Sequence, residues 1–272
     1  MPLSGGTRWL LRIGTGITLA FLYAPLVVIG LYAFNAQRVQ RWPIEEWSLK
    51  WFEKAINNPG VRDALLTSLK AGLGATAVAL VLGTAASFAV ARYRFFGRDT
   101  ISFLVVLPIA LPGIVTGMAL NTTFTQVLGV SLGLLTVIVG HATFCIVVVF
   151  NNAVARLRRT SRNFEEASAD LGADAIQTFR LVTFPQLRSA LIAGALLAFA
   201  LSFDEVIVTT FTIGAQQTLP IWILSNLSRP NQLPIVNVVA LAAILLSLIP
   251  VYLAQRLTTE PLQSAAPGGR GN

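Results

Sequence analysis

Two carboxylates, Asp204 and Glu205, stand side by side in a run, residues 189–213, that otherwise carries no charge. Ionisable groups in so apolar a setting are costly and usually functional. Their chemistry there is attraction of a cation. Phe203 and Phe211 nearby, and Trp222 further along, offer aromatic faces on which an ammonium group can rest. The plainer reading is that the pair binds a neighbouring helix or caps the run near the membrane surface, and that Trp222 is a membrane-belt residue. A second constellation precedes it: Glu166-Ala167-Ser168, then Gly172, then Val182-Thr183-Phe184-Pro185. Its chemistry is mechanical, a short rigid element offered to a partner. No residue reads as catalytic. His141 is the sole histidine and reads as a hydrogen-bonded core residue, not a metal ligand. Cys145, the single cysteine, reads as a small buried hydrophobe. An intramembrane hydrolase is the remoter alternative: it needs a serine in a G-x-S-x motif and a histidine on a facing helix, and the chain has a single histidine. No G-x-x-x-x-G-K-[ST] phosphate loop is present. No metal and no cofactor is implied.

The elements that must position these residues are apolar helices. Hydrophobic residues make up 54% of the 272 and charged ones only 12%, against roughly 25% in soluble domains. The net charge of +8 does not mark a nucleic-acid face, because the basic residues lie between apolar runs. Residues 13–34 and 71–91 carry no charge, and 100–155 carry none across enough length for two spans. A spanning helix needs about 20 such residues. The first run is too long for a signal-peptide core of ~7–15 residues and reads as a retained span. Backbone groups in lipid must be satisfied internally, so the runs are helices. The fold expected is all-α and polytopic: one permease-like domain, 1–272, with six spans near 11–34, 67–91, 101–125, 132–155, 189–213 and 233–255. Residues 258–272 are expected as a disordered tail. With both termini inside, thirteen of the twenty basic residues face the cytoplasm, so the positive-inside rule favours N-in, C-in.

Packing signals sit within the spans. Ala71, Ala75, Ala79 and Gly83 recur every four residues, a stripe that lets helix backbones approach. Pro108 and Pro112 predict a bend in the third span. A secondary transporter would need internal repeats, and the first three spans do not pair convincingly with the last three.

The loop between spans four and five, 156–188, is long for a helix connection at about 33 residues. It holds Arg156, Arg158, Arg159, Arg162, Arg180 and Arg188. Asn163 with Glu166 matches a capping box, and Asp174 with Gln177 a second. Gly172 is placed to end the first short helix. Ala173 follows the corner, Phe179 lies on the second helix, and Pro185 is expected to close the segment.

Here the chain resembles the permease subunits of binding-protein-dependent ABC importers. These carry an "EAA" loop: E-A-A, three residues, G, nine residues, I-x-L-P. The spacing matches throughout, with Ser168 for Ala, Val182 for Ile and Phe184 for Leu. The resemblance implies the type I, MetI-like permease fold in a bacterial inner membrane. It implies that the loop docks in a cleft of a cytoplasmic ATPase, with Glu166, Ala167 and Gly172 as its coupling core. The partners implied are a second, similar permease chain, two ATPase subunits, a periplasmic substrate-binding protein and membrane lipid; nucleic acid is not among them. Residues 201–240 are similar to polyamine (spermidine/putrescine) permeases, which hold an acidic pair here followed by a T-L-P segment. Relatives that import ferric iron, sulfate or other small solutes share the loop and the spans, so the substrate rests on the acidic pair and on general similarity.

Overall fold

The computed structural model describes residues 4–263. The chain forms twelve helices among these residues: α1 Gly5–Ala33, α2 Lys50–Ile56, α3 Pro59–Arg92, α4 Arg98–Ala110, α5 Gly113–Thr122, α6 Leu134–Arg159, α7 Asn163–Asp170, α8 Ala175–Thr178, α9 Phe184–Phe203, α10 Ile207–Thr212, α11 Leu219–Leu227 and α12 Leu233–Gln263. Two π-helical turns, Thr123–Val127 and Phe179–Thr183, continue α5 and lead into α9. By length and composition five helices are fit to cross a membrane, six if the bent pair α4–α5 counts as one span.

The chain divides into two compact units. The smaller holds residues up to 62 with 222–245. In it α1 is capped by Ser4 and leaves nearly all its apolar surface exposed. The loop after α1 is fastened by the Trp51 indole N–H, which donates to the Asn35 carbonyl at 2.9 Å. Trp222 is buried in this unit, and a Cβ on Gly60 would stand only 3.0 Å from its indole nitrogen.

The larger unit holds residues 63–221 and those from 246 onward. Its centre is the pairing of α6 with α9. Ala75, Ala79, Cys145, Val149, Leu187 and Ala198 form one buried cluster there. The small-residue stripe of α3 lies against α6. At Gly83 an added Cβ would meet the Ile146 carbonyl oxygen and the Val149 Cβ, both at 3.0 Å. Dispersion falls off steeply with separation, so helices that close gain contact along their whole seam.

Three expectations are corrected, but the bend expected in the third span is present, at 103° between α4 and α5. Pro112 has no N–H to give and holds Leu111 extended at ψ 142°. The fifth run does not continue through its carboxylates. Its helix begins earlier, at Phe184, and ends at Phe203, with Asp204 as C-cap and α10 as a separate helix. Pro185 opens this helix instead of closing the loop, because a proline in the first turn loses no hydrogen bond. Finally, α12 runs through Gln263, so 258–263 is helical; the rest of the expected tail lies outside the described residues.

Candidate functional site

The segment from Arg162 to Phe184 is built from local rules. α7 starts after Arg162, which makes no side-chain cap. Asn163 therefore lies inside the helix, and the first expected capping box is absent. With Glu165 and Glu166 in its first turn, α7 gains from its dipole instead. Gly172 ends it at φ +86°, a left-handed conformation that costs other residues ~1 kcal/mol or more. Nothing lies within 4 Å of a Cβ built there, so the requirement is one of backbone and not of space within the chain. The second box is present: Asp174 accepts from the Ile176 and Gln177 amides at 2.8 Å, and Gln177 accepts from the Asp174 amide at 3.0 Å. Ser168 and Thr178 hydroxyls meet at 3.0 Å and join the two short helices. Phe179, still partly exposed, packs edge-on to Phe88 with centroids 5.5 Å apart.

The outer surface of this segment is apolar as well as charged. Leu171 is 89% exposed and Ile176 77%, with Phe164 and Leu181 also exposed. Exposed apolar side chains of this kind are what a docking partner would cover. Glu166 and Ala167 are exposed, and among the described residues Glu166 pairs only with Arg162, one turn back, at 3.3 Å. Ala173 is half-buried and Pro185 is exposed.

Sequence reasoning passed over Glu165. Its carboxylate accepts from Arg92 Nε at 3.0 Å, with both side chains largely shielded. The same Oε1 accepts from the Thr183 hydroxyl at 3.3 Å. The only hint was the doubled glutamate in the motif, since adjacent helical residues point about 100° apart and one of the two had to face the bundle.

At the other end of α9 the chain turns sharply. Asp204 is exposed and its carboxylate takes no hydrogen bond or ion pair among the described residues. Glu205 is half-buried, and the Val208 N–H donates to its Oε1 at 2.9 Å, so it caps α10. Only one carboxylate of the pair is thus left open. α10 is pinned from three sides: Asn121 donates to the Phe211 carbonyl at 2.6 Å, Thr136 to the Thr212 carbonyl at 2.7 Å, and Thr209 lies 2.8 Å from His141. Phe203 is 3% exposed and packs against Phe199. Trp222 is 5% exposed and belongs to the smaller unit. Neither offers a free ring face, because both serve packing, so the aromatic role expected of them is not supported. Phe211 is half-buried against Gly117, where a Cβ would stand 2.6 Å from its ring.

A family model described as "Binding-protein-dependent transport system inner membrane component" matches residues 79–259, a stretch that takes in both the loop and the acidic turn. The chain belongs to this family. It is an inner-membrane transport permease, not an enzyme. The permease is 31% identical over 265 residues to the putrescine transport system permease protein PotI of Escherichia coli (strain K12), covering 92% of each chain. It is 32% identical over 246 residues to the spermidine/putrescine transport system permease protein PotC of Haemophilus influenzae, covering 90% of this chain and 94% of that one. Among solved structures it is similar in fold to a chain of a bacterial ABC transporter involved in the import of alginate. That match has a TM-score of 0.73 at 15% identity and covers 94% of this permease and 99% of that chain. A chain of the MetNI methionine ABC transporter matches with a TM-score of 0.56 at 19% identity, covering 80% and 99%.

Proposed function

We propose that this permease forms the membrane pathway of an ATP-driven importer of polyamines of the putrescine and spermidine kind. The observation that carries the reading is full-length similarity, at 31–32% identity, to permeases named for those substrates. The free carboxylate of Asp204, beside Glu205, supports it. A polyamine is a row of ammonium groups, and an open carboxylate at a turn in the chain attracts it without the tight grip that would stall release. ATP is hydrolysed by two separate cytoplasmic chains. A second, similar permease completes the pathway, and a periplasmic binding protein delivers the substrate.

Coupling falls to the segment 163–185. Glu166, Ala167 and the exposed Leu171 and Ile176 form the face that seats in the ATPase. Gly172 sets the corner, and Ser168 and Phe179 hold the segment's shape. Alternating access needs an element that both nucleotide and substrate can bias, and this segment runs directly into α9 and so to Asp204. The test is ATP hydrolysis by the assembled complex, with its binding protein supplied empty or loaded with putrescine or spermidine. Stimulation by the loaded protein alone supports the reading. Equal rates with either polyamine and with none move the substrate to another small solute.

A further inference from the structure

The Arg92 guanidinium is asked to do three things at once. Its Nε donates to Glu165 Oε1 at 3.0 Å, its Nη1 to the Leu157 carbonyl at 3.3 Å, and its Nη2 approaches the Thr160 carbonyl at 3.5 Å. Leu157 lies in the last turn of α6 and Thr160 is its C-cap, the end of a helix at which a cation is favoured. Arg92 is itself in the last turn of α3. Glu165 also accepts from Thr183, a buried residue at the mouth of α9. One shielded cluster therefore fastens the ends of α3 and α6, the helix α7 and the start of α9. The side chains are 11% and 19% exposed, so the attraction is little screened by water. The neighbouring pair Arg162–Glu166 is 65% and 63% exposed and contributes little in comparison.

We propose that Arg92 and Glu165 are the positioning pair that makes the loop a lever: a displacement of α7 reaches α3, α6 and α9 through this ion pair. The proposal rests on the reading of 163–185 as the ATPase-docking segment. Glu166 faces outward to the partner and Glu165 inward to the bundle, so adjacent glutamates divide the work. Without the inner one, α7 can still dock, but its movement is lost in the loop.

The experiment uses the complete complex, with both permeases, the ATPase chains and the binding protein, in lipid vesicles. The readout is the ratio of binding-protein-stimulated to basal ATP hydrolysis, in Glu165→Gln, Arg92→Gln and the double variant. Basal hydrolysis and co-purification of the ATPase should persist in Glu165→Gln, while the ratio falls by about fivefold or more, the size of an ordinary coupling between sites. The double variant should be no worse than the worse single one, because residues acting as one unit are not additive. An unchanged ratio in Glu165→Gln, or losses that multiply in the double variant, overturns the proposal. If Arg92→Gln fails to assemble, the isosteric Glu165→Gln decides alone. Leu171→Asp, on the exposed face, tests the docking reading separately. If it leaves ATPase binding intact, that reading fails; if it releases the ATPase while Glu165→Gln keeps its ratio, only the positioning pair fails.

Discussion

The imidazole of His141 lies with Nε2 2.8 Å from the hydroxyl of Thr209, and its Nδ1 2.7 Å from Ser202, so that one side chain of α6 straddles the turn that carries Asp204 and Glu205. Thr209 spends its own proton on the Glu205 carbonyl at 2.7 Å. It must then accept from Nε2, which leaves Nδ1 to accept from Ser202 in the neutral ring. The histidine is fully buried, and its two bonds fix both sides of the turn between α9 and α10. His141→Ala should therefore leave the Ser202 hydroxyl without its partner and open a cavity, costing about 2–4 kcal/mol. Thermal unfolding of the purified complex, compared with His141→Gln, checks this. Equal midpoints for the alanine variant and the wild type would contradict it.

The two carboxylates should respond differently. Asp204→Asn removes an open charge and should slow uptake of a polyamine by about tenfold at low salt, with the difference narrowing as salt rises. Glu205→Gln keeps an oxygen for the Val208 amide and should have a smaller effect. Initial uptake rates across a salt series separate the two. A larger defect in Glu205→Gln would reverse the assignment.

The docking loop should be tolerant in folding and intolerant in transport. Gly172→Val strains a left-handed corner but meets nothing within the chain, and Glu166→Lys breaks only an exposed pair worth roughly 0.3–0.5 kcal/mol. Both variants should insert and purify normally, yet lose most ATP-driven uptake. Membrane insertion and uptake, measured side by side, check this; normal uptake in either variant would remove its residue from the coupling face.

Gly83→Leu should do the opposite. Its Cβ would press on the Ile146 backbone and Val149 at 3.0 Å, and overpacking of this kind costs about 1–3 kcal/mol. Gly140→Ala, whose nearest contacts are 3.4–3.5 Å, should be tolerated. Yield and thermal stability in detergent compare the two.

Much of the scaffold was legible because lipid imposes a simple rule, long uncharged helices, and the chain obeys it. The break at Pro112 was half-legible: proline signals a bend, but its size depends on what packs around it. The turn at Asp204 was misjudged as a charge within a helix. An acidic pair caps a new helix as readily as it interrupts an old one, and only the amide of Val208 tells which. Pro185 misled for a related reason, since the same ring that ends one helix can start the next. Glu165 was hidden most deeply. It differs from Glu166 by one step around α7, and its partner Arg92 lies 73 residues earlier in the chain. Spacing identifies a motif's outward face, whereas its inward face is set by tertiary contacts.

The most direct measurement is ATP-dependent uptake of labelled putrescine and spermidine into vesicles that hold the whole complex with its binding protein. The account expects saturable, ATP-driven accumulation, reduced in Asp204→Asn and abolished in Glu166→Lys. No accumulation of either polyamine, with ATP hydrolysis intact and responsive to the binding protein, would contradict it.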